Sequence, residues 1–313
     1  MKPDRRSRLP YRIRYRTGEY LLRALVAGLG RLPASAGPCI AWITDRVSYL
    51  LLRGYRRRMY DTLERTMSEE LPTHAERRTV VRSAWRNFAH GFVESFATLY
   101  MTKDEVCSRV EIRGEEHLRA ALARKKGVIA LSAHFGSFTM IGPRLVAAGH
   151  DFSVVIKLPR ERRFAALQNA YFARAGVNVI PARPSRAAAV QMITALRRNG
   201  IVLLIPDEFK TRGVEVSFLG RRAPAPKGPV TIAQRTGASV VPIFMVRDES
   251  DRLTLQVEPE VRFVQTEDRE ADLRANAQLF AGEIERMVRR HPDHWSWMGF
   301  PKPRKGEASQ ATS

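Results

Sequence analysis

Cysteine is scarce: Cys39 and Cys107 are the only two in 313 residues. With no CxxC and no Cys/His pairing around them, a disulfide scaffold and a structural zinc site are excluded, and a reducing compartment is the expected setting. No uncharged apolar run reaches about 18 residues, so no transmembrane helix is predicted. The basic N-terminus is not followed by a clean apolar segment with a small-residue cleavage site, so no signal peptide is expected. Acidic residues are few, 32 Asp plus Glu against 53 Lys plus Arg, for a net charge of +21. A field of that sign attracts phosphate, whether on nucleic acid or on an anionic lipid surface. The chain has no C2H2 spacing, no RNP-like aromatic strand and no basic region with heptads, which argues against a specific nucleic-acid partner. GxSxG, Walker A and GxGxxG motifs are absent as well.

What is present begins with the distribution of charge. Lys2, Arg5, Arg6, Arg8, Arg12, Arg14, Arg16 and Arg23 crowd the first 23 residues, interleaved with Tyr11, Tyr15 and Tyr20. Two short helices are expected behind them, over about 20–31 and 36–54, with Arg53, Arg56, Arg57 and Arg58 at their end. That combination fits a membrane-interfacial anchor, and ordinary packing of amphipathic helices on the protein is the plainer alternative. The expected organisation is therefore an interfacial segment over 1–58, a folded domain over 59–301 and a disordered tail over 302–313.

Apolar residues at three- and four-residue spacing predict a helix from about His74 to Tyr100, with Thr73 and Glu76 forming a capping box. From Val110 onward, short apolar runs alternate with amphipathic stretches. Strands are predicted at 128–133, 152–156, 177–180, 201–206, 214–218, 240–246 and 253–257, with helices at about 138–148, 160–175, 185–199 and 228–236. This alternation indicates an α/β fold, a central and mostly parallel sheet flanked by helices.

Functional groups in such sheets stand beyond the carboxyl ends of strands. One apolar run delivers His134 to the small-residue turn Phe135-Gly136-Ser137, and another ends in Asp207-Glu208. Facing strand ends would set a carboxylate against the imidazole, the arrangement of a general base that deprotonates a hydroxyl. The turn at Gly136, Ser137 and Phe138 opens a helix and offers backbone N–H groups to an oxyanion or a phosphate. Arg160 and Arg163 share a helix face as a phosphate clamp, Arg212 stands in the loop after the second strand end, and Phe92, Phe96, Phe135 and Phe138 are candidates for an apolar groove.

The order of these segments is also familiar. His134-Phe-Gly-Ser137, Asp207-Glu208, Gly213 to Gly220, Ala233 to Pro242 and His291-Pro-Asp-His-Trp295-Ser-Trp297 resemble the bacterial lipid A lauroyl/myristoyl acyltransferase family of the lysophospholipid acyltransferase superfamily. The resemblance implies transfer of an acyl group from an acyl carrier protein or coenzyme A thioester to a hydroxyl of a glycolipid or phospholipid. It further implies an anionic membrane surface as partner, at the cytoplasmic face of an inner membrane, and it requires no metal and no cofactor. The family places an acid shortly after its histidine, where this chain has Thr139. Related glycolipid acyltransferases draw the acid from the later strand end, which points to Asp207 as the catalytic acid and to Glu208 as second choice. Lys157 takes a place where the family has an arginine, which makes it a candidate phosphate ligand. A noncatalytic lipid-binding protein that has lost the motif acid is the opposing reading.

Overall fold

The computed structural model describes residues 17, 20, 22–24, 26–31, 36–159, 161–209 and 213–297. Most of the basic N-terminal segment, Arg160, Arg212 and the tail fall outside the described residues, as does the side chain of Arg163.

The apolar runs form a seven-stranded sheet. Its strands are β1 (Val110–Arg113), β2 (Val128–Leu131), β3 (Phe152–Ile156), β4 (Asn178–Pro181), β5 (Ile201–Leu204), β8 (Ser239–Arg247) and β9 (Leu253–Val257), in the order β1-β9-β8-β2-β5-β3-β4. Every pairing is parallel except β8 with β9. All residues of β2, β5 and β8 are buried, as continuous apolar runs in a sheet covered on both faces require. The strand alternation divides the core in two: Ile129, Leu131, Val202, Leu204 and Phe244 point to one layer, and Val128, Ala130, Ile201, Leu203 and Met245 to the other.

A separate hairpin joins β6 (Val214–Phe218) to β7 (Arg221–Ala225). Its two-residue turn carries Leu219 at φ 50° and Gly220 at φ 70°, the positive pair that a type I′ hairpin turn demands.

Residues 22–24 and 26–31 are helical, as expected for 20–31, and behind them the described α-helices before β1 are α1 (Ala36–Leu51), α2 (Arg53–Thr66), α3 (His74–Ala97) and α4 (Lys103–Arg109). The helix expected over 36–54 is broken at Leu52, and a new helix starts at Arg53. The capping box forms as read: the Glu76 amide donates to Thr73 Oγ1 at 3.2 Å, and the Thr73 amide donates to Glu76 Oε2 at 2.9 Å. The later helices are α5 (Glu115–Ala123), α6 (Ile141–Ala147), α7 (Arg162–Arg174), α8 (Ser185–Arg197), α9 (Gly228–Thr236) and α10 (Arg269–Arg290).

Helix α1 is tied to α3 by polar contacts. Asp45, almost fully buried, accepts a bidentate pair from Arg82, and the Trp85 indole N–H donates to Ser48 Oγ at 3.0 Å. The guanidinium of Arg82 also lies over the Tyr49 ring, 4.6 Å from its centroid. Arg82→Ala strands a buried carboxylate, so it is expected to destabilise the protein by about 3 kcal/mol, read as a lower denaturant midpoint at unchanged slope.

Candidate active site

Register brings the site together. Leu131 and Leu204 are cross-strand partners at the ends of β2 and β5, and His134 and Asp207 each stand three residues farther on. The Ser132 amide extends the pairing by one bond, donating to Leu204 O at 2.9 Å. Beyond it, Asp207 Oδ2 accepts the His134 backbone N–H at 2.8 Å, and Oδ1 meets the imidazole Nδ1 at 2.8 Å. An ionised carboxylate only accepts, so Nδ1 carries a proton, and in the neutral ring the lone pair is on Nε2.

The two groups have opposite exposure. The Asp207 side chain is 3% exposed, whereas that of His134 is 34% exposed and forms part of the wall of an open pocket of about 520 Å³. Burial alone would raise the Asp207 pKa, but the charge of His134 when that ring is protonated and the hydrogen bonds from His134 and Trp295 outweigh it and hold the carboxyl below its usual range. Trp295 supplies the third of these bonds, its buried indole N–H donating to Oδ2 at 2.9 Å. Sequence reading placed Trp295 in a closing motif without a role. Its bond to Asp207 spans 88 positions, and no local pattern announces such a contact.

Glu208 borders the pocket, while Asp207 lies buried against His134. The two side chains diverge, although strand alternation is not the reason, because β5 has already ended at Leu204. Thr139 also lines the pocket, its hydroxyl 3.4 Å from Gly91 O.

The turn after the histidine is held from three sides. The Gly136 amide donates to His294 O at 2.7 Å, and Ser296 N donates to His134 O at 2.9 Å. Gly136 sits at φ 53°, where an added Cβ would run into the Met245 carbonyl oxygen. Ser137 is buried rather than set in the pocket wall. Its hydroxyl donates to Glu94 Oε2 at 2.9 Å and accepts from Arg247 at 3.0 Å, and Arg247 closes the triangle with a 2.5 Å bond to Glu94. With Phe135 N bonded to Ala133 O, the Ser137 and Phe138 amides are the ones in this turn without a backbone partner among the described residues.

His291, Asp293 and His294 bring potential ligand atoms within 4.8 Å of one another. Both ring nitrogens of His294 are already engaged, Nδ1 with Asp293 Oδ1 at 2.9 Å and Nε2 with the Arg247 amide at 2.9 Å. The ring therefore ties the end of β8 to the closing loop.

Of the expected cations, Lys157 stands exposed at the end of β3 and lines the pocket. Arg160 and Arg212 lie outside the described residues, and so does the Arg163 side chain. The apolar wall differs from the expected one. Phe138 is part of it, joined by Phe152 and Phe172, whereas Phe135 is fully buried against Phe244 and Phe92 is exposed on α3.

The phosphatidylinositol mannoside acyltransferase of Mycobacterium tuberculosis (strain ATCC 25618 / H37Rv) is 28% identical over 186 residues, covering 59% of this chain and 57% of the relative. The enzyme of the same name from Mycolicibacterium smegmatis (strain ATCC 700084 / mc(2)155) is 23% identical over 218 residues, covering 69% and 70%. The chain thus spans little more than half the length of the first of these relatives. The family model for bacterial lipid A biosynthesis acyltransferases matches residues 11–299, nearly the whole sequence, and the chain belongs to that family.

Proposed function

We propose that the protein transfers a fatty acyl group from a thioester, acyl carrier protein or coenzyme A bound, to a hydroxyl of a glycosylated phospholipid or glycolipid. The observation that carries this reading is the buried Asp207 on Nδ1 of a histidine that lines an open pocket. Nε2 takes the acceptor hydroxyl proton as the oxygen attacks the thioester carbonyl. The Ser137 and Phe138 amides stand next to the base, where a developing oxyanion needs donors. Collapse of the tetrahedral intermediate breaks the C–S bond, and the imidazolium returns its proton to the leaving thiolate. Asp207 stays ionised throughout and stabilises the imidazolium. The names of the mycobacterial relatives favour a mannosylated phosphoinositide over lipid A as acceptor class. Mass spectrometry of lipids incubated with the protein and acyl-CoA or acyl carrier protein thioester tests the reaction: a new acylated glycolipid is expected, and its absence with every donor and acceptor pair removes the reading.

The same reading places the protein on a membrane. The outer face of α1 exposes Trp42 at 56%, Leu50 at 63% and Leu51 at 75%, together with Ile43 and Val47, and exposed Arg53, Arg57 and Arg58 follow directly. Apolar side chains backed by arginines fit an anionic bilayer interface. No helix among the described residues is long and apolar enough to cross a membrane. Because Asp45 and Ser48 hold α1 to α3, substitutions on the outer face are a cleaner probe than deletion. Each inserted side chain of this size is worth about 1.5–3 kcal/mol, so Trp42→Ser with Leu50→Ser is expected to weaken sedimentation with phosphatidylglycerol vesicles by at least about 100-fold. Unchanged sedimentation would remove α1 from the membrane face.

A further inference from the structure

The turn after His134 is gripped from behind by an ion pair that belongs to neither of the strands bearing the base and its acid. In register, β8 meets β2 at Pro242 and Leu131 and then continues to Arg247, so its end lies against Gly136 through the Met245 carbonyl. From the other side α3 presses in at Gly91, where a Cβ would stand 2.9 Å from both Cα and Oγ of Ser137. One helical turn farther along α3, Glu94 reaches the Ser137 hydroxyl. Its Oε2 accepts from Ser137 Oγ at 2.9 Å and from Arg247 Nη2 at 2.5 Å, and the same Nη2 donates to Ser137 Oγ at 3.0 Å. The other guanidinium arm, Nη1, donates to Asp251 O at 3.2 Å, and Arg86 of α3 pairs with Asp251 Oδ1 at 3.1 Å. Helix α3 therefore holds both sides of the guanidinium. Ser137 and Arg247 are buried, and neither they nor Glu94 line the pocket.

A buried ion pair is a poor stabiliser, because desolvation of the two charges offsets much of their attraction. A fully satisfied polar network is better suited to holding its members in one orientation. The Ser137 hydroxyl gives its one proton to Glu94 and accepts from Arg247, which fixes the side-chain torsion and with it the Cα. That Cα stands between the Ser137 and Phe138 amides. Resting on the acyl-transfer reading above, we infer that Glu94 and Arg247 are positioning residues, which act through the Ser137 hydroxyl to hold those two amides where the oxyanion develops. Donors aimed in advance need no reorganisation as the charge forms, and a misplacement of about 1 Å costs up to about 10²-fold in rate.

Ser137→Ala is the decisive variant. It keeps both amides and leaves Glu94 paired with Arg247, so the tie of α3 to β8 survives and only the turn is released. With thiol release from palmitoyl-CoA read in the presence of a mannosylated phosphoinositide, kcat is expected to fall at least about tenfold. Both KM values and the thermal midpoint stay near wild type, since an oxyanion donor acts in the transition state alone. Glu94→Gln keeps the side-chain shape and lowers kcat similarly, and Ser137→Ala with Glu94→Gln costs little more than Ser137→Ala alone. An unchanged kcat in folded Ser137→Ala protein overturns the inference. So does a double variant whose losses multiply, or a Glu94→Gln protein with a lower thermal midpoint and a normal kcat, as a merely structural pair would give. Should the wild type release no thiol, hydrogen exchange at the Gly136 and Met140 amides, which are bonded on either side of Ser137, still decides. Faster exchange there in Ser137→Ala and in Glu94→Gln, with β2 and β5 unmoved, upholds the hold on the turn while the reaction reading fails. Exchange equal to wild type in both variants overturns it.

Discussion

His134→Ala lowers acyl transfer by at least about 10²-fold, the usual cost of removing a general base, while the fold survives. The fold is spared because the imidazole fills no core position: its ring faces the pocket, and the backbone bonds of residue 134 to Asp207 and Ser296 do not depend on the side chain. Turnover measured beside the thermal midpoint separates the two effects. The carboxylate left behind loses its charged partner but keeps the Trp295 N–H and the backbone N–H of residue 134. Near-normal turnover in a folded His134→Ala protein would abolish the mechanism.

Asp207→Asn should cost nearly as much, and Glu208→Gln far less. The side-chain amide introduced by Asp207→Asn keeps much of the shape of the buried carboxylate but not the charge that stabilises the imidazolium, and it leaves open which tautomer the ring adopts. Glu208 borders the pocket, whereas the Nδ1 position of the imidazole is taken by Asp207, so the loss of Glu208 touches substrate rather than the base. The double change His134→Ala with Asp207→Asn is expected to cost little more than either alone, since the pair acts as one unit. Trp295→Phe removes one donor to the carboxylate and should fall between wild type and Asp207→Asn. The pH response has a definite sign. A carboxyl held below its usual range contributes stability that is fully present above the unfolded pKa and is lost only as pH falls through the depressed folded value. Mild acidification therefore leaves Asp207 charged. A Glu208→Gln protein as inactive as His134→Ala, beside an active Asp207→Asn, would reverse the two assignments.

The residues that proved readable were those whose signal is local. The runs at 152–156, 214–218 and 253–257 match the observed strands residue for residue, because a buried strand must be apolar and its ends are marked by turn formers. The Thr73–Glu76 box needed only a four-residue window. His134 and Asp207 stood out because each follows an apolar run directly. What stayed hidden depends on partners far along the chain: the Trp295 bond to Asp207, the Glu94–Arg247 pair and Gln168 at the pocket wall. Helix α10 is a different case. Its buried Ala277, Phe280, Ala281, Ile284, Met287 and Val288 recur at helical spacing, but dense charge between them masks the stripe, and no helix was expected there. Strand β1 alternates buried Val110 with exposed Glu111 over only four residues, too short a run to stand out.

The bond from Trp295 to Asp207 also sets when the acid acquires its full set of donors. A ribosome makes His134 and Asp207 long before residues 291–297, and the loop that carries His294, Trp295 and Ser296 supplies three of the bonds around them. Until that loop has emerged, a nascent chain holds the histidine turn without its closing strap and the acid without its indole donor. The acid therefore gains its indole donor, and the histidine turn its strap, only after the loop over 291–297 has been made.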